Sequence, residues 1–241
     1  MIRKLTRIFI DPRSGSLVGA GFPSLALISL VAFSSACGHG PEAGARESEP
    51  VAAAFQGRVL AEPIPRPDFT LLDTSGQPYD FLAETRGKVA LLFFGYTHCP
   101  DVCPIHMGNI AAVMDDLGTE GRRRVEVVFV TTDPGRDTPE RIRAWLDRFD
   151  PAFVGLRGTR AEVDSIQRSL GLPPSVVQAP AAGGDGYLVG HAAQVLAFSP
   201  DGPARVVYPF GSRQEDWARD LPRLIAGEAP APRGAPSGAR P

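Results

Sequence analysis

The stretch of sequence that decides the fold is VALLFFGYTHCPDVCP, residues 89–104. It begins with a continuous apolar run, residues 89–94, which is typical of a central strand that is covered on both faces. Cys99 and Cys103, two of the three cysteines in the chain, follow this run closely. A helical pattern comes next, so the sequence predicts two sulfur ligands at a junction between a strand and a helix.

The start of the predicted helix favours reactive forms of these cysteines. Pro104 cannot donate a backbone hydrogen bond, so it belongs in the first turn, and Asp101 lies near the N-cap. The unpaired N–H groups and the helix dipole at this end favour thiolates. The four-residue spacing brings the two alpha carbons to roughly 5–6 Å, which is close enough for a disulfide. The pair therefore suits two tasks, binding of a thiophilic metal or cycling between dithiol and disulfide.

Strand and helix patterns alternate on both sides of this motif. Strands are predicted at residues 69–72, 79–82, 89–94, 125–131, 153–156, 190–199 and 204–208, and helices at 101–117, from Thr138 onward, at 161–170 and at 214–225. Buried parallel strands with helical crossovers, followed by an antiparallel hairpin, indicate an α/β domain with a mixed central sheet and helices on both faces. With a cysteine motif at the first strand-to-helix turn, this arrangement is typical of a thioredoxin-like fold.

The composition divides the chain into four parts. Residues 1–37 place basic residues before a charge-free run, which indicates a signal peptide or an uncleaved membrane anchor. Residues 38–61 are rich in Gly, Ala, Glu and Pro and are predicted to be a flexible tether, and residues 227–241 are predicted to be a disordered tail. The folded domain is expected to span residues 62–226.

The third cysteine, Cys37, bears on where the protein is found. Residues 34–37 (SSAC) resemble a bacterial lipobox, in which the cysteine is lipidated, although serine stands where leucine is usual. A plain anchor with an incidental cysteine is the alternative. Under either interpretation the domain is tethered to a membrane of the bacterial cell envelope and faces the periplasm or the cell exterior.

The net charge of the chain and the oxidising compartment predicted for it restrict the classes of function to consider. The formal net charge is −2, and a mildly acidic chain lacks the basic surface that nucleic-acid binding requires. In an oxidising compartment two nearby thiols form a disulfide unless a reductant or a metal intervenes. A disulfide that closes so short a loop stabilises the fold only weakly. Cys99 and Cys103 are therefore predicted to be functional.

A third candidate ligand, His191, is predicted at the start of the penultimate strand, which begins beside the cysteine turn in a thioredoxin-like fold. Thioredoxin-like reductases usually carry a proline there and separate their cysteines by two residues, whereas this chain separates them by three. Two sulfurs and one imidazole suit Cu(I), can also hold Cu(II), and could accept zinc. His106 lies about one helical turn after Cys103 and could approach the site, but for both His98 and His106 packing in the loop or on the helix surface is the preferred interpretation.

Two aspartates follow the second buried strand. Asp133 and Asp137 lie at the carboxyl end of that strand, where α/β folds often place functional groups. Asp137 is expected to organise the start of the helix at Thr138, and a supporting role near the loop of the cysteine motif is the alternative.

Three parts of the sequence resemble one known family, the Sco (SenC-type) proteins. They are residues 95–104 (GYTHCPDVCP), residues 133–138 (DPGRDT) and the late His191. The resemblance covers about residues 64–226. Members of this family have a thioredoxin-like fold and are membrane-tethered copper chaperones.

The resemblance implies a function and a ligand set. It implies delivery of copper to the binuclear copper site of cytochrome c oxidase subunit II, with Cys99, Cys103 and His191 as the copper ligands. A copper donor protein and a thioredoxin-like reductant are the further partners expected. The chain differs from the family at Gly190, where many relatives carry aspartate before the histidine. This difference could alter the groups around the imidazole, but it leaves the ligand itself in place.

Two other functions would use the same dithiol. A thiol–disulfide reductase would keep the copper-site cysteines of a client reduced, with Cys99 as the attacking sulfur because it lies outside the helix. A peroxiredoxin-like peroxidase usually has threonine three residues before its reactive cysteine, but Tyr96 and Pro100 stand at those positions. The peroxidase is therefore disfavoured, whereas the chaperone and the reductase remain open.

Overall fold

A fully buried strand, β4, lies at the centre of the fold. A computed structural model describes residues 54–178 and 186–230 of the protein, and in it β4 spans Val89–Gly95. Its odd-numbered residues from 89 to 93 belong to one hydrophobic cluster and its even-numbered residues from 90 to 94 to another. Successive side chains of a strand point to opposite faces, so β4 is covered on both sides, as its apolar run predicts.

Ten strands and six helices occur in the described residues. The strands are β1 (Arg58–Ile64), β2 (Thr70–Asp73), β3 (Pro78–Asp80), β4 (Val89–Gly95), β5 (Val125–Thr131), β6 (Val154–Arg157), β7 (Val176–Gln178), β8 (Leu188–Gly190), β9 (Val195–Phe198) and β10 (Ala204–Tyr208). The helices are α1 (Phe81–Glu84), α2 (Val102–Asp116), α3 (Gly118–Arg123), α4 (Pro139–Leu146), α5 (Arg160–Ser169) and α6 (Gln214–Ile225).

Eight of the strands form one sheet in the order β1-β10-β9-β4-β5-β6-β2-β3. Strands β4, β5 and β6 run parallel, whereas β9 runs antiparallel to β4 and places Val195 opposite Phe93. The remaining two strands, β7 and β8, form a separate ribbon. The sheet is therefore mixed, as the sequence predicts.

Helices cover both faces of this sheet. Helices α2, α4 and α6 contribute Met107, Trp145 and Trp217 to the cluster on one face. On the other face, α1 and α5 contribute Phe81 and Val163. The layered architecture confirms the predicted arrangement of helices on both faces.

Two predicted strands differ from the structure. The segment predicted at residues 79–82 is divided, because Asp80 ends β3 and its carboxylate accepts a hydrogen bond from the Ala83 N–H (2.9 Å), which caps α1. The strand predicted at residues 190–199 is wrong in its first half, since β9 begins only at Val195. His191 consequently follows the β7–β8 ribbon and does not begin the penultimate strand of the sheet.

The end of the predicted tether is also corrected. Residues 58–61 belong to β1, which pairs antiparallel with β10 at the edge of the sheet. Just before it, the buried carboxylate of Asp220 accepts hydrogen bonds from the backbone N–H groups of Gln56 (2.9 Å) and Gly57 (2.8 Å). These contacts attach the chain to the domain several residues before position 62.

The N-terminal segment 1–37 with Cys37, most of the tether, and most of the tail lie outside the described residues. The membrane anchor and the lipobox therefore stay predictions. Within the described ranges, none of the helices has the length and apolar character needed to cross a membrane.

Candidate metal centre

Three candidate ligand atoms meet at the carboxyl end of β4. The sulfurs of Cys99 and Cys103 and a ring nitrogen of His191 all lie within 4.8 Å of one another. Cys99 is 8% exposed, Cys103 is fully buried and His191 is half-buried. In the part of the chain that the structure describes, this is the one cluster of three or more such side chains that could hold a metal ion.

The strand, the turn and the helix place the two cysteines as predicted. Asp101 is the N-cap of α2, and its carboxylate accepts a hydrogen bond from the Val102 N–H. Cys103 lies in the first turn of α2, and its backbone N–H points at the sulfur of Cys99 at 3.5 Å. The free N–H groups of a helix N-terminus thus face the sulfur that lies outside the helix.

Gly95, the last residue of β4, makes room for one of the sulfurs. A Cβ atom at this position would lie 2.6 Å from the Cys103 sulfur and 2.9 Å from the Phe129 ring. Neither neighbour is the free end of a flexible side chain, because both are packed in the core. Only glycine therefore lets the strand approach this sulfur so closely.

The two thiols have opposite pKa shifts. The pKa of Cys99 is lowered to about 4, chiefly because the Cys103 thiol hydrogen-bonds its sulfur, with a further contribution from the Cys103 backbone N–H. Burial raises the pKa of Cys103 well above its ordinary value. In the metal-free dithiol, Cys99 is thus the thiolate and Cys103 the protonated partner.

The imidazole of His191 has its two nitrogens in different roles. Nδ1 lies 3.0 Å from the Ala192 carbonyl oxygen, and Nε2 lies 3.5 Å from the Cys103 sulfur. A carbonyl oxygen only accepts, so we assign the proton to Nδ1, which leaves the Nε2 lone pair facing the sulfurs. The His191 ring makes T-shaped contacts with the rings of Phe93 and Tyr96, with centroid-to-centroid distances of 5.8 and 5.7 Å.

The two histidines nearest the cysteines in sequence do not join the cluster. His98 lies 3.2 Å from the Thr97 hydroxyl, 3.4 Å from Arg141 and 3.6 Å from the Asp137 carboxylate, so it faces away from the sulfurs as predicted. His106 is not on the helix surface, which corrects the prediction. It is 1% exposed, and its Nε2 lies 3.0 Å from the Ala193 carbonyl oxygen.

Asp137 takes the alternative role, support of the cysteine loop, and not the preferred role at the start of α4. The N-cap of α4 is Thr138, whose hydroxyl accepts from the Arg141 N–H. The fully buried Asp137 carboxylate accepts from the Thr97 N–H (3.0 Å), the Thr97 hydroxyl (2.6 Å) and the Thr131 hydroxyl (2.6 Å). It therefore fixes the loop that leads to Cys99 against the end of β5.

This arrangement is chemically suited to a soft metal ion. Two sulfurs and one imidazole nitrogen that converge in a largely buried position match the ligand preferences of copper, and they would also accept zinc. The same dithiol, with one thiolate outside the helix and one protonated thiol in its first turn, can also exchange with a disulfide. The three residues singled out from the sequence are brought together, although the element that carries His191 differs from the predicted one.

Comparison with known proteins identifies several similar chains. A family model described as SCO1/SenC matches residues 61–226. A Stutzerimonas stutzeri protein named as a candidate copper-binding protein is 34% identical over 176 residues, which cover 72% of this chain and 84% of that protein. Matches with fungal and mammalian relatives cover only 44% to 63% of those longer chains.

Solved structures show the same likeness. The apo Sco1 protein of Thermus thermophilus is 32% identical with a TM-score of 0.62, over 72% of this chain and 99% of that one. Bradyrhizobium japonicum ScoI, solved with copper bound, is 31% identical with a TM-score of 0.57, over 66% of this chain and 98% of that one. These likenesses confirm the predicted thioredoxin-like fold.

Proposed function

Because the chain belongs to the SCO1/SenC family, we propose that it is a copper chaperone that binds one copper ion through Cys99, Cys103 and His191. Copper is here the cargo and not a resident catalytic group. Support comes from the similar Stutzerimonas stutzeri protein, which is named for copper binding, and from the Bradyrhizobium japonicum structure solved with copper.

One observation carries the proposal, namely the convergence of two cysteine sulfurs and one ring nitrogen within 4.8 Å of one another. The hydrogen bond from Nδ1 to Ala192 leaves Nε2 of His191 free to bind a metal. The low pKa of Cys99 supplies one thiolate at neutral pH. Binding of the ion would release the proton of Cys103, as metal binding to a thiol requires.

The proposed recipient is the binuclear copper site of cytochrome c oxidase subunit II, with the domain held at the membrane by the N-terminal segment. Transfer would proceed by ligand exchange, in which incoming thiolates displace His191 first because nitrogen is the weaker partner for Cu(I). The burial of the site fits this order, since Cys103 is enclosed in the core whereas His191 is half-buried.

The test is an anaerobic Cu(I) titration of the reduced protein against a competing chelator. We expect one tightly held copper per chain and at least a tenfold weaker affinity in His191→Ala, in line with the roughly 10–100-fold effects of groups that support a metal site. His98→Ala is the matched control, because this imidazole is adjacent to Cys99 but faces away. Equal affinities in the wild type and His191→Ala would contradict the ligand assignment.

A second function is favoured by the opposite pKa shifts of the two thiols. In a thiol–disulfide reductase, the Cys99 thiolate attacks a client disulfide, forms a mixed disulfide and releases one client thiolate. Cys103 then loses its proton and attacks Cys99, which releases the second client thiolate. The client gains two electrons, the site becomes a Cys99–Cys103 disulfide, and a thioredoxin-like reductant would restore it.

The Cys103→Ser variant tests the reductase. It lacks the second sulfur, so a reductase would accumulate the mixed disulfide between Cys99 and the oxidised copper-site domain of subunit II, detectable as a band that reductant removes. Cys99→Ser is the control and should trap far less. If Cys103→Ser yields no adduct while the wild type binds copper, the chaperone alone remains.

A further inference from the structure

The segment that carries His191 is held to the cysteine side by few backbone hydrogen bonds. Within the described residues, β8 pairs only with β7, in a ribbon separate from the main sheet. The ribbon side chains Val176, Val177 and Leu188 are 59%, 50% and 49% exposed. Side-chain contacts must therefore determine where His191 lies relative to the sulfurs.

One such contact precedes His191 by four residues. The Tyr187 hydroxyl donates to the Asp133 carboxylate (2.8 Å), and Arg136 forms an ion pair with that same carboxylate. The Arg136 guanidinium also lies 3.5 Å from the centroid of the Tyr187 ring and donates to the Tyr187 carbonyl oxygen (2.9 Å). Residues of the loop after β5 thus hold Tyr187 by its ring, its hydroxyl and its backbone.

A second contact follows His191 by two residues. His106 lies on α2 three residues after Cys103, and its Nε2 is 3.0 Å from the Ala193 carbonyl oxygen. A carbonyl oxygen only accepts, so Nε2 carries the proton and donates. The His106 side chain is 1% exposed, and its ring makes T-shaped contacts with the rings of Phe93 and Trp217. The helix that supplies one sulfur thereby also holds the far side of the histidine segment.

We propose that Tyr187 and His106 are positioning residues that hold His191 within reach of the two sulfurs. The hydrogen bonds at Tyr187 and Ala193 fix the segment on both sides of the imidazole, so the ring is placed before any metal arrives. Neither residue is itself a ligand. The test by Cu(I) affinity rests on the proposed copper binding, whereas the test by NMR without metal does not.

The direct test uses NMR on the reduced full-length protein without metal. Tyr187→Phe keeps the aromatic ring against Arg136 but loses the hydroxyl. His106→Leu replaces the imidazole that donates to Ala193 with an apolar side chain of similar volume. We expect both to lose NOEs from the His191 ring to the Phe93 and Tyr96 rings, and to speed amide exchange in β8 at least tenfold. An unchanged NOE pattern in either variant overturns the role of that residue.

Two controls separate positioning from general packing. In His106→Gln the side-chain amide still offers a donor to Ala193, so the NOEs of His191 should return. Tyr79→Phe also removes one buried hydroxyl, but this hydroxyl has no hydrogen-bond partner and lies on β3 at the far edge of the sheet. It should leave His191 unaffected. Loss of the NOEs in Tyr79→Phe, or failure of His106→Gln to restore them, would overturn the proposal.

A second readout is Cu(I) affinity in a double-mutant cycle. We expect Tyr187→Phe to weaken binding by about tenfold in the wild-type background, as is usual for groups that orient a ligand. In the His191→Ala background the same change should have no effect, because it acts through the imidazole. Equal losses in both backgrounds would overturn the proposal. If the wild type retains no copper, the proposed function fails. The NMR experiment without metal still shows whether Tyr187 and His106 position His191.

Discussion

The two sides of the candidate metal centre are built in different ways. Cys99 and Cys103 lie between β4, which is buried throughout, and the first turn of α2. His191 instead follows a three-residue strand of a partly exposed ribbon and is held by side chains from distant parts of the chain. Regular backbone structure and the buried Asp137 carboxylate thus fix the sulfurs, whereas the segment of the nitrogen is held mainly by side-chain contacts.

If the protein holds and releases copper, as proposed, the difference between the two sides has a functional consequence. The rigid pair of sulfurs would then set which metal is bound, and the separately held imidazole would leave first without disturbing the core. Changes on the cysteine side should therefore alter stability and metal binding together. Changes on the histidine side should alter mainly metal binding.

The largest expected effect is on Cu(I) affinity, and it distinguishes the sulfur ligands from the nitrogen ligand. Cys103→Ser removes one of two sulfurs and should reduce Cu(I) affinity by more than roughly 100-fold, beyond the usual range for supporting groups. His191→Ala should cost less, because Cu(I) prefers sulfur to nitrogen. Competition titration measures both variants. If His191→Ala weakens binding as much as Cys103→Ser, the proposed division between the two sides is wrong.

The next prediction concerns the two thiols of the metal-free protein. The pKa of Cys99 is about 4 and that of Cys103 is raised, so iodoacetamide should modify Cys99 selectively at pH 7. Its rate should stay constant from pH 8 to pH 5 and fall to about half near pH 4, because only the thiolate reacts. Cys99→Ser supplies the baseline. A rate that rises steeply between pH 7 and pH 9 would indicate an ordinary thiol.

The same shift gives a definite sign to the contribution of Cys99 to the pH dependence of stability. The folded-state pKa of Cys99 lies below the value of about 8.5 for a free thiol, so the unfolded chain binds the extra proton between these values. The stabilisation is therefore complete above about pH 8.5 and is lost as the pH falls towards 4. Urea denaturation of the wild type and Cys99→Ser across this range measures it.

Asp137 tests how firmly the cysteine loop is fixed. Asp137→Ala leaves the N–H and hydroxyl of Thr97 and the hydroxyl of Thr131 without their buried acceptor, and should lower the free energy of unfolding by about 3 kcal/mol. Asp201→Ala is the control, since this carboxylate pairs with Arg205 at the surface and should change stability by less than about 1 kcal/mol. Similar losses in both variants would refute the anchoring role.

Gly95 tests the close approach of β4 to the sulfur. Gly95→Ala should destabilise the protein by about 1–3 kcal/mol, because the new methyl group overlaps the Cys103 sulfur and the Phe129 ring. Gly108→Ala, in α2, meets no atom within 4 Å and should instead stabilise by up to about 1 kcal/mol through helix propensity. Thermal unfolding distinguishes these opposite signs, and equal signs would contradict the packing argument.

The smallest expected change in stability is on the histidine side. Tyr187→Phe removes one hydrogen bond from a partly exposed hydroxyl and should lower the free energy of unfolding by about 1 kcal/mol or less. Urea denaturation checks this value beside that of Asp137→Ala. A loss of 3 kcal/mol in both would show that the ribbon is as integral to the fold as the cysteine loop.

The same contrast explains what the sequence could predict. The cysteine pair, the N-cap at Asp101 and strands β4 and β5 depend on local patterns, and the structure has them where they are predicted. The long apolar runs also indicate the mixed, helix-covered sheet. The prediction that His191 lies beside the sulfurs rests on fold analogy, and the strand predicted around it is wrong because β8 pairs outside the main sheet.

The parts that escaped prediction depend on distant contacts. β1 is an edge strand with mostly exposed side chains, so it lacks alternation, and the carboxylate that attaches the chain before it, Asp220, lies over 160 residues away. Asp137 is visible as a polar residue at the end of a strand, but its partner Thr97 cannot be read from the sequence. His106 resembles a helix-surface residue until the position of Ala193 is known.

X-ray absorption at the copper edge tests the central claim most directly. In protein loaded with one Cu(I) per chain, we predict scattering from two sulfurs and one imidazole nitrogen, and in His191→Ala only the imidazole contribution should disappear. A wild-type spectrum with sulfur ligands alone, or imidazole scattering that survives in His191→Ala, would contradict the three-ligand site.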